Sequence, residues 1–283
     1  MTTIINGRKI SKEILDEIKK EVALLPFQPV FCDILVGDDP VSLQYVNMKK
    51  NKAEEIGIHF HKAFFPASID TEDLIKEIKM INKIPNMCGI IIQLPLPENL
   101  NQEEILNAVD PSLDVDCLGS FASEQFYKGD FIFGFPTALA CIALLDSINL
   151  NMKNKKIVIL GRGRLVGKPV AALLKFRNLT PQIISSQTEN REELLKEADI
   201  IISGMGKGKY LKGNMIKKGA IIIDAGTSES NASIVGDVDL ESVNTIADFI
   251  SPVPGGVGPM TIAMLFSNVL KIAISKNLIP IIK

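Results

Sequence analysis

Ile157-Val158-Ile159-Leu160-Gly161-Arg162-Gly163-Arg164-Leu165-Val166-Gly167-Lys168-Pro169 runs from an apolar stretch through three glycines to a helix-starting proline. Four consecutive β-branched or aliphatic residues ending at a glycine turn read as a buried parallel strand. Glycines after such a strand let the backbone approach a pyrophosphate, while the helix N-terminus offers free N–H groups and a positive dipole end. The spacing is GxGxxxG, so taken alone the turn fits either a nucleotide loop or a glycine-rich turn without ligand.

Working outward, apolar strands alternate with helical-period segments on both sides of this turn. Upstream, a helix from about Lys12 to Leu24 precedes the strand Val30–Val36. A helix carrying Tyr45 and Lys49 leads to a strand near Ile58–Phe65. A helix opened by Asp70-Thr71-Glu72, an N-cap signal, then leads to the strand Gly89–Ile92. Downstream, strands are expected near Gln182–Ile184, Ile200–Ile202 and Ala220–Ile223, with helices at about Thr137–Ser147 and Thr261–Ser275. This order predicts an α/β fold of two domains with parallel sheets. The boundaries are residues 1–136, completed by the last helix at about 261–283, and a Rossmann-type domain at 137–260.

Composition narrows the function. The 283 residues carry a net charge of -2, which gives no reason to expect nucleic acid or an anionic membrane as partner. Apolar stretches such as Ala138–Leu145 read as too short to span a bilayer. The N-terminus lacks the pattern of a cleaved leader, so a cytoplasmic location is expected. Four scattered cysteines with no CxxC pair suggest buried thiols, neither disulfides nor a zinc site. The two histidines, His59 and His61, alternate with apolar residues on one strand face. No metal site is expected, and acid–base chemistry falls to Lys, Tyr, Asp or Glu.

Lys49 is the leading candidate. In Ser42-Leu43-Gln44-Tyr45-Val46-Asn47-Met48-Lys49, i, i+4 spacing puts Tyr45 and Lys49 on one helix face, with the Ser42 hydroxyl one turn earlier. Gln93 closes an apolar strand, where open parallel sheets bind ligands. For each the plain alternative is an ordinary surface lysine, a half-buried tyrosine or a strand-end cap. For the cofactor, the segment Ile184-Ser185-Ser186-Gln187-Thr188 offers hydroxyls and no carboxylate for a ribose 2′-hydroxyl, and Arg162 suits a 2′-phosphate. NADP is favoured over NAD.

The motifs together resemble the bifunctional methylenetetrahydrofolate dehydrogenase/methenyltetrahydrofolate cyclohydrolase family. The matching segments are Tyr45-Val46-Asn47-Met48-Lys49, Gln93-Leu94-Pro95-Leu96-Pro97, Asp114-Val115-Asp116, the Gly161–Pro169 loop, Gly236-Asp237-Val238-Asp239 and Pro252-Val253-Pro254-Gly255-Gly256-Val257-Gly258-Pro259-Met260-Thr261. The resemblance implies a folate cleft between two α/β domains and a homodimer formed largely by the nucleotide domains. It implies oxidation of 5,10-methylenetetrahydrofolate to the methenyl form and hydrolysis to 10-formyltetrahydrofolate in one-carbon metabolism. Lys49 becomes the acid–base centre, since the cationic methenyl substrate disfavours an adjacent ammonium. Tyr45 and Gln93 orient it and touch the folate, and Asp116 binds the pterin N–H groups. Pro254, Gly255 and Gly256 present backbone to the substrate, a role that coexists with a sharp turn before the last helix. Gly161, Arg162, Gly163, Gly167, Ser186 and Thr227 would hold the nucleotide.

Several positions depart from the family pattern. Cys117 replaces the glycine after Asp-Val-Asp, Phe133-Gly134-Phe135-Pro136 replaces PCTP, and Gly163 replaces a serine. Ser185-Ser186-Gln187-Thr188 and Gly226-Thr227-Ser228 also differ. These changes leave two further readings open, a monofunctional dehydrogenase and a folate- or nucleotide-binding protein without turnover.

Overall fold

The computed structural model describes residues 2–230 and 233–278. In chain order its elements are β1 (Thr3–Ile4), α1 (Gly7–Ala23), β2 (Val30–Val36), α2 (Pro40–Glu55), β3 (His59–Phe65), α3 (Thr71–Ile81) and β4 (Met87–Ile92). Next come α4 (Gln102–Ala108), α5 (Ser120–Lys128), α6 (Pro136–Asp146), β5 (Ile157–Leu160), α7 (Gly167–Phe176), β6 (Gln182–Ile184), α8 (Arg191–Glu197) and β7 (Ile200–Ser203). The remainder are β8 (Ile221–Asp224), β9 (Ser228–Ser230), β10 (Ser233–Val235), α9 (Leu240–Val243), β11 (Phe249–Ser251) and α10 (Val257–Leu278). They form two compact units, one of Met1–Lys12 with Phe135–Met264 and one of Glu13–Gly134 with Leu265–Lys283.

In the unit built on Glu13–Gly134, three parallel strands lie in the order β3-β2-β4. Every residue of the central strand β2 is buried, as a parallel strand covered on both faces requires. The helices start where side chains cap them. Asp39 Oδ2 accepts the Ser42 N–H at 2.7 Å with Pro40 in the first turn, and Asp70 Oδ1 accepts the Asp73 N–H at 2.8 Å. α1 begins at Gly7, five residues before the expected Lys12, because Asn6 Oδ1 takes the Lys9 N–H at 3.1 Å.

The second unit is a six-stranded parallel sheet in the order β1-β11-β8-β7-β5-β6. Its neighbours on either side of β5 come from opposite directions of winding, which makes the carboxyl end of β5 a topological switch point. Leu195, Ile201, Ile222 and Val243 fill its core. The sequence reading placed the first residues in the folate domain. Here β1 instead adds to β11, with the Thr3 N–H on the Asp248 carbonyl at 2.7 Å and the Ile5 N–H on the Ile250 carbonyl at 2.8 Å. A two-residue strand carries no periodicity that would reveal its partner.

The second half of α10 packs with the Glu13–Gly134 unit. Phe266 meets Phe31 edge-on at 5.4 Å, and the buried Asn268 amide donates to the carbonyls of Val115 and Gly134 at 2.9 and 2.7 Å. Lys276 Nζ caps the Met87 carbonyl at 2.5 Å. The sequence reading judged the apolar stretches too short for a bilayer. By length and composition, however, Val257–Asn277 is long and apolar enough, with mean hydropathy 1.6. Half of that stretch is buried within the protein, and a fully buried Asn268 bonded to backbone carbonyls marks it as a core helix.

Candidate active site

Lys49 lies in the third turn of α2, and its ammonium is gripped from two sides. Nζ stands 2.7 Å from Asp33 Oδ2 on β2 and donates to Gln93 Oε1, just beyond β4, at 2.8 Å. Only 11 % of the lysine side chain is exposed, so this is no solvated surface lysine. Gln93 is itself fixed, its Nε2 donating to the Leu94 carbonyl at 2.8 Å and its backbone N–H to the Ile34 carbonyl at 2.9 Å. The middle of β2 and the carboxyl end of β4 thus deliver a carboxylate and an amide to one amine. Tyr45, one turn earlier on α2, is 39 % exposed. Ser42 does not join this surface: it is buried, one turn before the buried Val46 on the inner side of the helix.

Asp116 is presented by a turn pinned to β4. The Ile90 N–H donates to the Leu113 carbonyl at 2.8 Å, Asp114 Oδ2 accepts the Gly119 N–H at 2.7 Å, and Asn268 holds the Val115 carbonyl. Asp116 keeps part of its surface exposed, yet the surrounding protein pushes its carboxyl up to about 7. The Lys49 charge opposes that rise, and Asp114 and Asp33 add to it. Cys117, where the family pattern has glycine, holds φ at +57°, so the turn keeps its left-handed residue without one. Its thiol is buried.

Asp33 escaped the sequence reading. Burial pushes its carboxyl above the ordinary value, and the Lys49 charge and hydrogen bond act against that shift. The signal was present: a lone carboxylate in the otherwise apolar run Val30-Phe31-Cys32-Asp33-Ile34-Leu35-Val36. Buried charges persist only when paired. His59 is exposed and His61 half-buried on β3.

In the other unit, the assigned nucleotide residues collect along one edge. Gly161 follows β5, Ser186 follows β6 and Thr227 follows β8, all at carboxyl ends of parallel strands in one sheet. Gly161 has φ +103°, and a Cβ there would meet the Gly204 carbonyl oxygen at 2.6 Å. Only glycine fits. Gly163, by contrast, has nothing nearer than 3.9 Å to a would-be Cβ, so the fold leaves room for the serine of the family pattern. Arg162 and Ser186 are exposed, and α7 begins at Gly167 with no side-chain cap.

The Gly236-Asp237-Val238-Asp239 segment, matched in sequence but given no role, organises this edge. Asp237 accepts hydrogen bonds from the Ser203 hydroxyl and the N–H groups of Met205 and Lys207, each at 2.7 Å. Asp224 accepts from the N–H groups of Gly226, Asp237 and Val238 at 3.0 to 3.1 Å. Burial nevertheless lifts the Asp224 carboxyl to about 6. Pro254, Gly255 and Gly256 form the turn between β11 and α10. Gly255, at φ +107°, turns its carbonyl to the Arg8 N–H at 3.2 Å.

Residues 5–116 match the Tetrahydrofolate dehydrogenase/cyclohydrolase, catalytic domain, and residues 136–277 match the Tetrahydrofolate dehydrogenase/cyclohydrolase, NAD(P)-binding domain. The chain belongs to this family. A protein from Nautilia profundicola called Bifunctional protein FolD is 42 % identical over 275 residues, spanning 96 % of this chain and 97 % of its own. Among solved structures, the Campylobacter jejuni bifunctional enzyme FolD superposes with a TM-score of 0.94 at 33 % identity, covering 98 % of this chain and 100 % of its own. The Trypanosoma brucei N5,N10-methylenetetrahydrofolate dehydrogenase-cyclohydrolase, solved with NADP cofactor and an inhibitor, has a TM-score of 0.92 at 32 % identity and covers 97 % of this chain and 98 % of its own. Both domains of the family are therefore present, in the α/β fold with parallel sheets that the sequence implied.

Proposed function

We infer that this protein oxidises 5,10-methylenetetrahydrofolate to 5,10-methenyltetrahydrofolate with NADP and hydrolyses the product to 10-formyltetrahydrofolate. The observation that carries this reading is Lys49, withdrawn from solvent and held at 2.7 and 2.8 Å by Asp33 and Gln93 within the catalytic domain. An amine so placed argues against a monofunctional dehydrogenase or a binding protein, whose activities need no acid–base group there.

For the dehydrogenase step, bound NADP supplies the hydride acceptor. The glycine cradle at Gly161 and the uncapped start of α7 suit its pyrophosphate, with Gly163 leaving the backbone open. Buried Gly167 lets the helix start pack against the Gly161 carbonyl, where a Cβ would clash. Arg162, with Ser186 and no carboxylate at the end of β6, suits a 2′-phosphate, and Thr227 borders the same edge. The protein's task here is positioning. Asp116 binds the pterin N–H groups, a carboxylate accepting paired donors. Tyr45 contacts the folate, and Pro254, Gly255 and Gly256 offer it backbone groups. For the cyclohydrolase step, the cationic bridge of the methenyl substrate favours the neutral form of Lys49. The amine then takes a proton from the attacking water, while Gln93 keeps Nζ in place.

We assign folate chemistry to Glu13–Gly134 and nucleotide binding to Phe135–Met264. A cytoplasmic homodimer is the expected working form. The test is to supply 5,10-methylenetetrahydrofolate with NADP or NAD and follow reduced nicotinamide, then methenyl and formyl products, for wild type and Lys49→Ala. NADP reduction with formyl production that the substitution abolishes supports the reading. Reduction without enzyme-dependent formyl production identifies a monofunctional dehydrogenase. Neither activity from a folded, ligand-binding protein removes the enzymatic reading.

A further inference from the structure

Asp33 does more than neutralise Lys49. It sits within the fully buried strand β2 and is 0 % exposed; among the described residues its Oδ1 has no hydrogen-bond partner and its Oδ2 has only the Lys49 Nζ contact at 2.7 Å. Among the described residues, Lys49 is the one cation that acts on Asp33. Its register partner on β4 is Ile91, and on β3 it is Lys62, whose Nζ rests over the Phe64 ring at 4.7 Å. A carboxylate has room for about four hydrogen bonds. One supplied with a single donor, and otherwise desolvated, is poorly stabilised as an anion and well suited to receiving a proton.

We propose that Asp33 is a positioning residue for the cyclohydrolase step that exchanges one proton with Lys49, so that the amine is freed without any proton passing to solvent. The proposal rests on the reading of Lys49 as the acid–base centre. In the free enzyme the pair is ammonium and carboxylate. When the cationic methenyl folate lies beside Nζ, an N–H bond of the ammonium breaks and an O–H bond forms on Asp33, leaving a neutral pair with the same proton count. The amine takes one proton from water as the water oxygen bonds to the bridging carbon. It returns that proton to the ring nitrogen as the C–N bond breaks, and the remaining hydroxyl proton leaves to solvent as the formyl C=O forms.

Other groups face the pair. Gln93 Oε1 accepts from Nζ, Tyr45 stands one turn earlier on α2, and the charges of Lys49, Asp33 and Asp114 all act on Asp116. On β2 itself the adjacent Cys32 thiol is pushed up by burial and by the Asp33 charge. Because Asp116 titrates in the neutral range and touches substrate, the decisive readout is kcat at saturating folate.

The experiment supplies 5,10-methenyltetrahydrofolate directly to the full-length chain and measures enzyme-dependent formyl production across pH for wild type, Asp33→Asn, Asp33→Val and Lys49→Ala, with thermal melts of each. Both Asp33 variants are expected to lose about tenfold or more in kcat at neutral pH while KM stays within about twofold. Their acid limb moves to higher pH, because an amine without a carboxylate acceptor must release its proton to water, and amines do so well above the carboxylate range. Asn is isosteric with Asp, so it carries the test if Val disturbs folding. An Asp33→Asn enzyme with wild-type kcat and an unmoved acid limb overturns the proposal, whether or not Asp33→Val is impaired. If Lys49→Ala is inactive in that case, the Lys49 reading stands and the Asp33 proposal alone falls. A fully active Lys49→Ala overturns both.

Discussion

Removing Lys49 should unbalance the fold in a pH-dependent way. Asp33 is 0 % exposed and, among the described residues, its one counter-ion is Lys49 Nζ at 2.7 Å. Lys49→Ala leaves that carboxyl buried with nothing to offset desolvation. Breaking a buried pair from one side costs roughly 3–5 kcal/mol, about 6–20 °C of melting temperature for a unit of this size. The cost depends on ionisation. Burial already raises the Asp33 carboxyl above its ordinary value against the opposing effect of Lys49, so deleting the lysine raises it further. A carboxyl raised in the folded state binds its proton more tightly there than in the unfolded chain. Its stabilisation is full below the unfolded value, about 3.9, and is lost as pH rises through the folded one. Lys49→Ala should therefore melt closest to wild type in acid and fall away towards neutral and alkaline pH. Asp33→Val with Lys49→Ala should recover most of the loss, since an apolar replacement of both partners is often neutral or stabilising. Differential scanning calorimetry of the four members of this cycle across pH checks it. A Lys49→Ala deficit that is constant with pH, or no recovery in the double variant, would refute the ion-pair account.

Three further outcomes follow from the geometry. With the Asp116 carboxyl at about 7 and ionised when it accepts the pterin N–H groups, KM for folate should fall as pH rises through 7, and Asp116→Asn should raise KM and flatten that dependence in steady-state assays. Gly161→Ala drives a Cβ to 2.6 Å from the Gly204 carbonyl oxygen at φ +103° and should cost about 1–3 kcal/mol in stability along with NADP affinity. Gly163→Ala, where a Cβ meets nothing nearer than 3.9 Å, should leave stability near wild type by calorimetry. All four cysteines are buried, and burial pushes the thiols up, Cys88 to about 11 and Cys141 to about 12. A thiol reagent should therefore react with none in the native protein and with all four after denaturation.

Much of this protein was readable one segment at a time. The strands Val30–Val36 and Gln182–Ile184, the Asp70 cap and the glycine turn after Leu160 are written in local apolar patterning, capping chemistry and backbone sterics, which act over a few residues. Tyr45, Lys49 and Gln93 were nameable because helix spacing and strand ends are also local, and the motifs fixed the family. β1 was not readable, since two residues carry no period, and neither was β11, three residues that run directly into Pro252. Nor was the inward placement of Ser42, which depends on which side of α2 meets the sheet.

Asp33 marks the division most sharply. Its sequence position says only that a carboxylate interrupts an apolar strand. Its partner lies sixteen residues away on the following helix, and Gln93 comes from another strand. Their meeting at one amine follows from how α2 packs on β2 and where β4 ends beside it. Local sequence determines what each element is and which chemical groups it carries. The electrostatics of Lys49 depend on distance and desolvation, and those exist only once separate elements have buried their side chains together.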